Sequence, residues 1–172
     1  QHISWPPDGE RLMNMMGFVE ACHDAQTIVI HDDPLLAVPV ATPTGMALLK
    51  LVAWTDRTRD KRKRDAQDFL YLLKHNESMP GIKDRSYDDN GIMEQYSWDI
   101  RLAGAHLLGV DAAAIARPPT KKHIEALLTG KLSAEQRNVD RLVHESMDRI
   151  NEMEQTANFL LTEAFRNGFC QP

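Results

Sequence analysis

The segment Met46-Ala47-Leu48-Leu49-Lys50-Leu51-Val52-Ala53-Trp54 constrains this chain more than any other, because Lys50 is its only polar side chain. Thr42-Pro43-Thr44-Gly45 precedes it, and Thr42 or Thr44 can cap a helix that starts there. A helix that is apolar on every side belongs in a core rather than on a surface. An unpaired ammonium in that core is heavily penalised, so Lys50 must reach water, a carboxylate or a bound anion. Two carboxylates lie close in sequence, in Lys63-Arg64-Asp65-Ala66-Gln67-Asp68-Phe69-Leu70. Asp65 and Asp68 are three apart and so share one helix face, and Asp65 sits near the helix N-terminus, where the macrodipole favours it.

The elements around this pair read as a small β-containing front third and an all-helical remainder. Gln1 is not an initiator Met, and His2-Ile3-Ser4-Trp5 looks like the end of a strand already under way, so preceding residues are expected in the parent protein. Trp5-Pro6-Pro7-Asp8-Gly9 is a turn. Met13 to Ala25 contains a short helix with Phe18, Val19 and Cys22 on one face. Thr27–Ile30 and Leu36–Val40 are strands joined by His31-Asp32-Asp33-Pro34, a hairpin at a sheet edge because Pro39 cannot donate to a ladder.

After the basic connection Arg57–Arg64, a helix carries Ala66, Phe69, Leu70, Leu72 and Leu73. Glu77–Gly91 is polar and turn-rich, and Met93–Leu108 is helical with Gly104 as a close-packing point. Gly109-Val110-Asp111 interrupts, with Asp111 capping a short Ala-rich helix; Pro118-Pro119-Thr120 punctuates again, and Ile124, Leu127 and Leu128 then mark another short helix closed by Gly130. The last element is expected to be one helix of about nine turns at 3.6 residues each. Ser133 and Gln136 form its capping box, and Asn167-Gly168 its C-cap. Its stripe of Val139, Val143, Ile150, Met153, Ala157, Leu160 and Ala164 must pack on the other helices, on a second copy or on a partner protein.

Length and composition narrow the function classes. At 172 residues the chain is one domain, with or without an appendage, and large enough for a real core. A net charge of −5 argues against broad electrostatic binding to nucleic acid, a local basic patch aside. No apolar run approaches the roughly 18 residues of a membrane span, and no secretory signal opens the chain. Cys22 and Cys170 are too few and too separated for a disulfide framework or a zinc site, so a cytoplasmic protein is expected.

Lys50 with Asp65 and Asp68 has two readings. One is a structural ion pair between antiparallel helices, with Arg57 or Arg64 as further partners. The other is a lysine that holds nucleotide phosphates and is oriented by an aspartate, since nucleotidyl transfer needs positioned positive charge. The acidic pairs Asp32-Asp33 and Asp88-Asp89 read as solvated turn residues, and the seven histidines show no metal-ligand spacing. The basic run Arg57–Arg64 reads as a charged helix connection or as a receiver of a nucleic acid or a nucleotide triphosphate tail.

Leu48–Arg57 followed by Lys63–Leu73 resembles the middle of the predicted nucleotidyltransferases related to the AbiEii abortive-infection toxins, which have the polymerase-β-type fold. Trp5–Asp8, Met15–Ala21 and Leu102–Asp111 extend the likeness over roughly residues 3–115. The family lysine falls on Lys50 as a nucleotide-phosphate contact. The following Arg-Asp-x-x-Asp falls on Arg64, Asp65 and Asp68, with Asp65 as the catalytic residue and Arg64 and Asp68 binding nucleotide. The resemblance implies Mg²⁺, a nucleoside triphosphate, an RNA, protein or small-molecule acceptor and, in a toxin–antitoxin setting, a cognate antitoxin. The family's Gly-Ser and Asp-x-Asp motifs lie before the Trp-Pro-Pro segment, and nothing here matches them, so no metal ligand is assigned.

The fold expected is α+β and mostly α: a remnant of a nucleotidyltransferase sheet, a helical bundle and a long C-terminal helix. Residues 1–116 form the nucleotidyltransferase-like part and 117–172 a helical extension. The function expected is nucleotidyl transfer, inactive in the chain as given for want of metal ligands. The alternative is a non-catalytic interaction module, a degenerate relative that acts through a partner bound to the helix at 133–167.

Overall fold

A computed structural model describes residues 2–5, 11–88, 91–132, 138–148 and 151–171, with the backbone alone at 2–5 and 11–13. The fold is α+β and mostly α. Its strands form two separate antiparallel pairs, β1 (His2–Trp5) with β2 (Arg11–Asn14) and β3 (Gln26–Asp32) with β4 (Leu35–Val40). Between them lies α1 (Phe18–His23), and after them α2 (Pro43–Asp56) and α3 (Arg59–Lys74). A 3₁₀ turn at Asn76–Ser78 leads to α4 (Ile82–Asp88), α5 (Ile92–Gln95), α6 (Ile100–Ile115), α7 (Pro118–Leu128), α8 (Val139–Ser146) and α9 (Glu152–Phe169). None of the helices described is long and apolar enough to cross a membrane.

The apolar helix α2 lies in the core, as its sequence requires. Ala47, Leu48, Leu51, Val52 and Trp54 are buried against α3, α6 and α7. Thr42 is the cap: its hydroxyl accepts from Gly45 N at 3.1 Å and donates to the Asp24 carboxylate, tying the end of α1 to the start of α2. Ala21 sits against Gly45, and Glu20 reaches α7, where it accepts from Arg117 N at 3.3 Å and Thr120 Oγ1 at 2.6 Å. Glu20 thus supplies donors at the N-terminus of α7 with a partner. The buried face of α1 is therefore Glu20 and Ala21; of the expected face, Phe18 and Cys22 are exposed and Val19 is half-buried.

The centre of the molecule is the crossing of α6 and α9. A Cβ on Gly109 would lie 2.2 Å from the Phe165 carbonyl oxygen, and one on Gly168 would lie 2.0 Å from that of His106. These two glycines let the backbones touch, and Phe69, Phe165 and Phe169 fill the space beside them. Gly109 does not interrupt α6, and Gly168 does not end α9, because close helix approach fixes both. Gly104 is the close-packing point expected, making room for the buried Asn76 amide, which donates to Leu73 O and Arg101 O, both at 2.7 Å. The core draws on residues on both sides of position 116.

The single helix expected over 133–167 is two helices. Met147 is extended (φ −94°, ψ 142°), and Asn151 is an extended cap whose side chain accepts from Met153 N and Glu154 N. The Asn side chain competes with the backbone ladder and opens a new helix there. Asn138 caps α8, while the capping box of Ser133 and Gln136 lies outside the described residues, as do Pro6–Gly9, Asp89 and Ile150. The chain closes on a long helix, α9; of the expected stripe Val139, Val143 and Ala164 are buried, and α9 also buries Asn158, Leu161, Phe165 and Phe169. Met153, Ala157 and Leu160 of the expected stripe are exposed. Adjacent apolar pairs such as Leu160-Leu161 make the three-four spacing ambiguous by one residue, and the phenylalanines decide the phase. The segment read as turn-rich after Glu77 contains α4, anchored by buried Ile82 and Ser86.

The β3–β4 hairpin is bare. Ile28, Val29, Ile30, Leu35, Leu36 and Val40 are all about half exposed or more, Leu35 at 71%. Two strands alone are marginal in water, and this pair has no third strand among the described residues.

Candidate functional site

α2 presents one side away from the core: Met46, Leu49, Lys50 and Ala53 line a cleft of about 220 Å³. Asn14, Met16 and Phe18 close it from the β2–α1 connection, and Asp56, Arg57 and Asp65 close its polar end. The apolar part is lined by thioether, ring and aliphatic side chains, and the polar end by two cations and two carboxylates. The volume is below the range of about 300–1,000 Å³ common for ligand pockets, so part of a larger ligand would lie across the opening.

The polar end is ordered from the buried side outward. Asp65, 1% exposed, receives Arg57 Nη1 on both carboxylate oxygens at 3.0 Å. Lys50 Nζ lies 3.6 Å from Asp65 Oδ1 and 2.6 Å from Asp68 Oδ2. α3 positions both aspartates because Ala66, Phe69, Leu70 and Leu73 hold its other face in the core. Lys50 therefore meets the requirement set by its apolar helix: its stem lines the cleft and its ammonium reaches carboxylates at the rim. Of the residues expected in the site, Lys50, Asp65 and Asp68 come together. Arg64 is exposed and does not line the cleft; Arg57 stands on Asp65 instead.

A second charged cluster lies on the buried side of α3 and has no role in the cleft. Arg62, 1% exposed, donates from Nε and Nη2 to the two Glu145 oxygens at 2.7 Å each. Trp54 Nε1 donates to the same carboxylate at 3.1 Å, and Arg141 Nε donates to it at 2.9 Å. Burial pushes the Glu145 carboxyl up, but the Arg62 and Arg141 hydrogen bonds and the Arg62 charge outweigh it, leaving Glu145 below the usual carboxylate range. The basic run Arg57–Arg64 is not a connection beyond Arg57 and Thr58: Arg59–Arg64 open α3, and the run is paired internally, with Arg57 on Asp65, Arg62 on Glu145 and Lys63 on Asp148. Sequence reading missed Arg62 and Glu145, which are 83 residues apart with no pattern to join them. It also missed Asn14, Met16 and Phe18 as cleft residues; exposed Phe18 on α1 is the one of them with an available signal, and Asn14 and Met16 have none.

The donor set at the cleft does not fit Mg²⁺. Both oxygens of Asp65 are held by Arg57, Asp68 is paired with Lys50, and no group of three metal-ligating side chains occurs among the described residues. An anionic ligand with an apolar portion fits better: Lys50 and Arg57 can meet its charge, and Met16, Phe18, Met46 and Leu49 its body. No protein family, no curated protein and no solved structure matches the chain.

Proposed function

We propose that this chain is a nucleotide-holding, cytoplasmic nucleotidyltransferase-like protein related to the AbiEii toxins. One observation carries the reading: Lys50, the only polar side chain between Met46 and Trp54 of α2, reaches a half-apolar cleft beside Asp65 and Arg57. In this reading the base lies on the apolar wall and the phosphates meet Lys50. Asp65 fixes Arg57 and Lys50 rather than binding metal, and Arg64 steers the triphosphate from the exposed side of α3. Transfer to an RNA, protein or small-molecule acceptor then needs metal-binding carboxylates supplied by other residues. The bare β3–β4 hairpin suits that need, since further strands can extend it.

Photocrosslinking with 8-azido-ATP followed by peptide mapping tests the site. Label on the peptides that carry Phe18 or Met46–Ala53, competed by ATP, is the expected result. Label spread over the surface and insensitive to ATP would remove the cleft from consideration.

A second reading is favoured by the hairpin itself and by exposed Met153 and Leu160: an interaction module that binds a partner protein, such as an antitoxin, or a second copy. Light scattering of the purified chain separates the two: a compact monomer that takes up ATP supports the first reading, and a stable oligomer indifferent to ATP the second.

A further inference from the structure

The carboxylates on Lys50 are not equivalent. Asp65 is buried and already holds the Arg57 guanidinium on both oxygens, and it lies 3.6 Å from Lys50. Asp68 is 44% exposed, lies 2.6 Å from the ammonium, and Lys50 is its ion-pair partner. The cleft lining balances Lys50 and Arg57 against Asp56 and Asp65, and Asp68, which stands outside that lining, adds a further negative charge on Lys50. An anion arriving there meets a lysine that is already neutralised.

We propose that Asp68 is a displaceable counter-ion that latches Lys50, an inference that rests on the nucleotide-binding reading above. Its carboxylate takes, on the ammonium, the position that a phosphate oxygen takes in the complex. A phosphate displaces Asp68 readily, because that side chain is half in water and solvates as it leaves. It does not displace Asp65, whose oxygens are held by Arg57 and whose burial makes an uncompensated charge costly. Asp65 is then the fixed member that keeps Lys50 at the rim, and Asp68 the member that sets the threshold for binding. This assigns Asp68 a role opposite to a direct nucleotide contact: it competes with the ligand.

The test is equilibrium binding of ATP and of inorganic tripolyphosphate, in low salt, to the full chain and to Asp68→Asn, Asp68→Glu, Lys50→Ala and the Lys50→Ala/Asp68→Asn double variant. An exposed ion pair is worth a factor of about two to five, so Asp68→Asn should bind both ligands about two- to fivefold more tightly. Asp68→Glu, which keeps the charge, should stay at the weaker affinity, and Asp68→Asn should give no gain once Lys50 is alanine. Equal or weaker binding by Asp68→Asn, with Lys50→Ala still impaired, overturns the latch and leaves the nucleotide site standing. Lys50→Ala binding as tightly as the unmodified chain, or no measurable binding by any variant, overturns the site itself and the latch with it.

Discussion

Arg62 on α3 and Glu145 on α8 meet side by side in the interior, Nε to Oε2 and Nη2 to Oε1 both at 2.7 Å, beneath the Trp54 indole. The guanidinium also lies 5.6 Å from the Trp54 ring centroid. Removing one partner of such a buried pair costs about 3–5 kcal/mol. Glu145→Ala should therefore lower the unfolding free energy by that amount in urea titration. A loss under about 1 kcal/mol, the scale of surface ion pairs, would show that Arg62 finds water instead.

The same carboxylate sets a pH dependence. Glu145 is held below its ordinary value of 4.5 in the folded chain, so the unfolded chain takes up the proton first as the solution is acidified. Its stabilisation is complete above the unfolded value and is lost as pH falls through that value toward the folded one. Asp99 shifts in the same direction, so the informative quantity is a difference. Between about pH 6 and 3 the stability of the native chain should fall more steeply than that of Glu145→Gln. Parallel curves would contradict the assignment.

Gly109→Ala and Gly168→Ala should each destabilise the fold, although alanine is the better helix former by about 1 kcal/mol. The new Cβ would meet a backbone carbonyl at 2.2 Å or 2.0 Å, and neither helix can move without opening the phenylalanine cluster. The net loss should reach about 1–3 kcal/mol by thermal unfolding, and a gain in melting temperature at either position would contradict the crossing described.

Deletion after Gly130 should unfold the chain rather than alter its oligomeric state, because Leu161, Phe165 and Phe169 belong to the core. Loss of helical circular dichroism beyond the share of the removed residues is expected, and a cooperatively melting fragment would refute it. In contrast, Leu35→Lys on the bare hairpin should change stability by no more than about 0.5 kcal/mol, while Leu51→Ala costs about 2–5 kcal/mol. A large loss at Leu35 would mean that the hairpin packs on something.

The legible parts of this molecule were those with local rules. An apolar helix with one lysine had to be buried and to deliver Lys50 to a partner, and two aspartates three apart on the next helix were the near candidates; both features are present. Thr42 and the β3–β4 hairpin follow from capping and β-branching, whereas Pro118-Pro119 reads as a break and is the first turn of α7. What escaped depends on contacts distant in sequence. Gly109 and Gly168 look like breaks until the two helices cross. The choice between Leu160 and Leu161 for the core depends on where α6 lies. Arg62 and Arg64 differ by two positions, and only the arrival of Glu145 from α8 sends one inside and leaves the other in solvent.

Calorimetric titration of ATP into the unmodified chain and into Lys50→Ala is the most direct test of the account. Saturable binding by the former, weakened about tenfold or more in the latter as loss of a charge-assisted contact requires, is the predicted result, with Lys50→Ala still folded by circular dichroism. Equal affinity in the two proteins would contradict it and leave Lys50, Asp65 and Asp68 as an ion pair that holds α2 to α3.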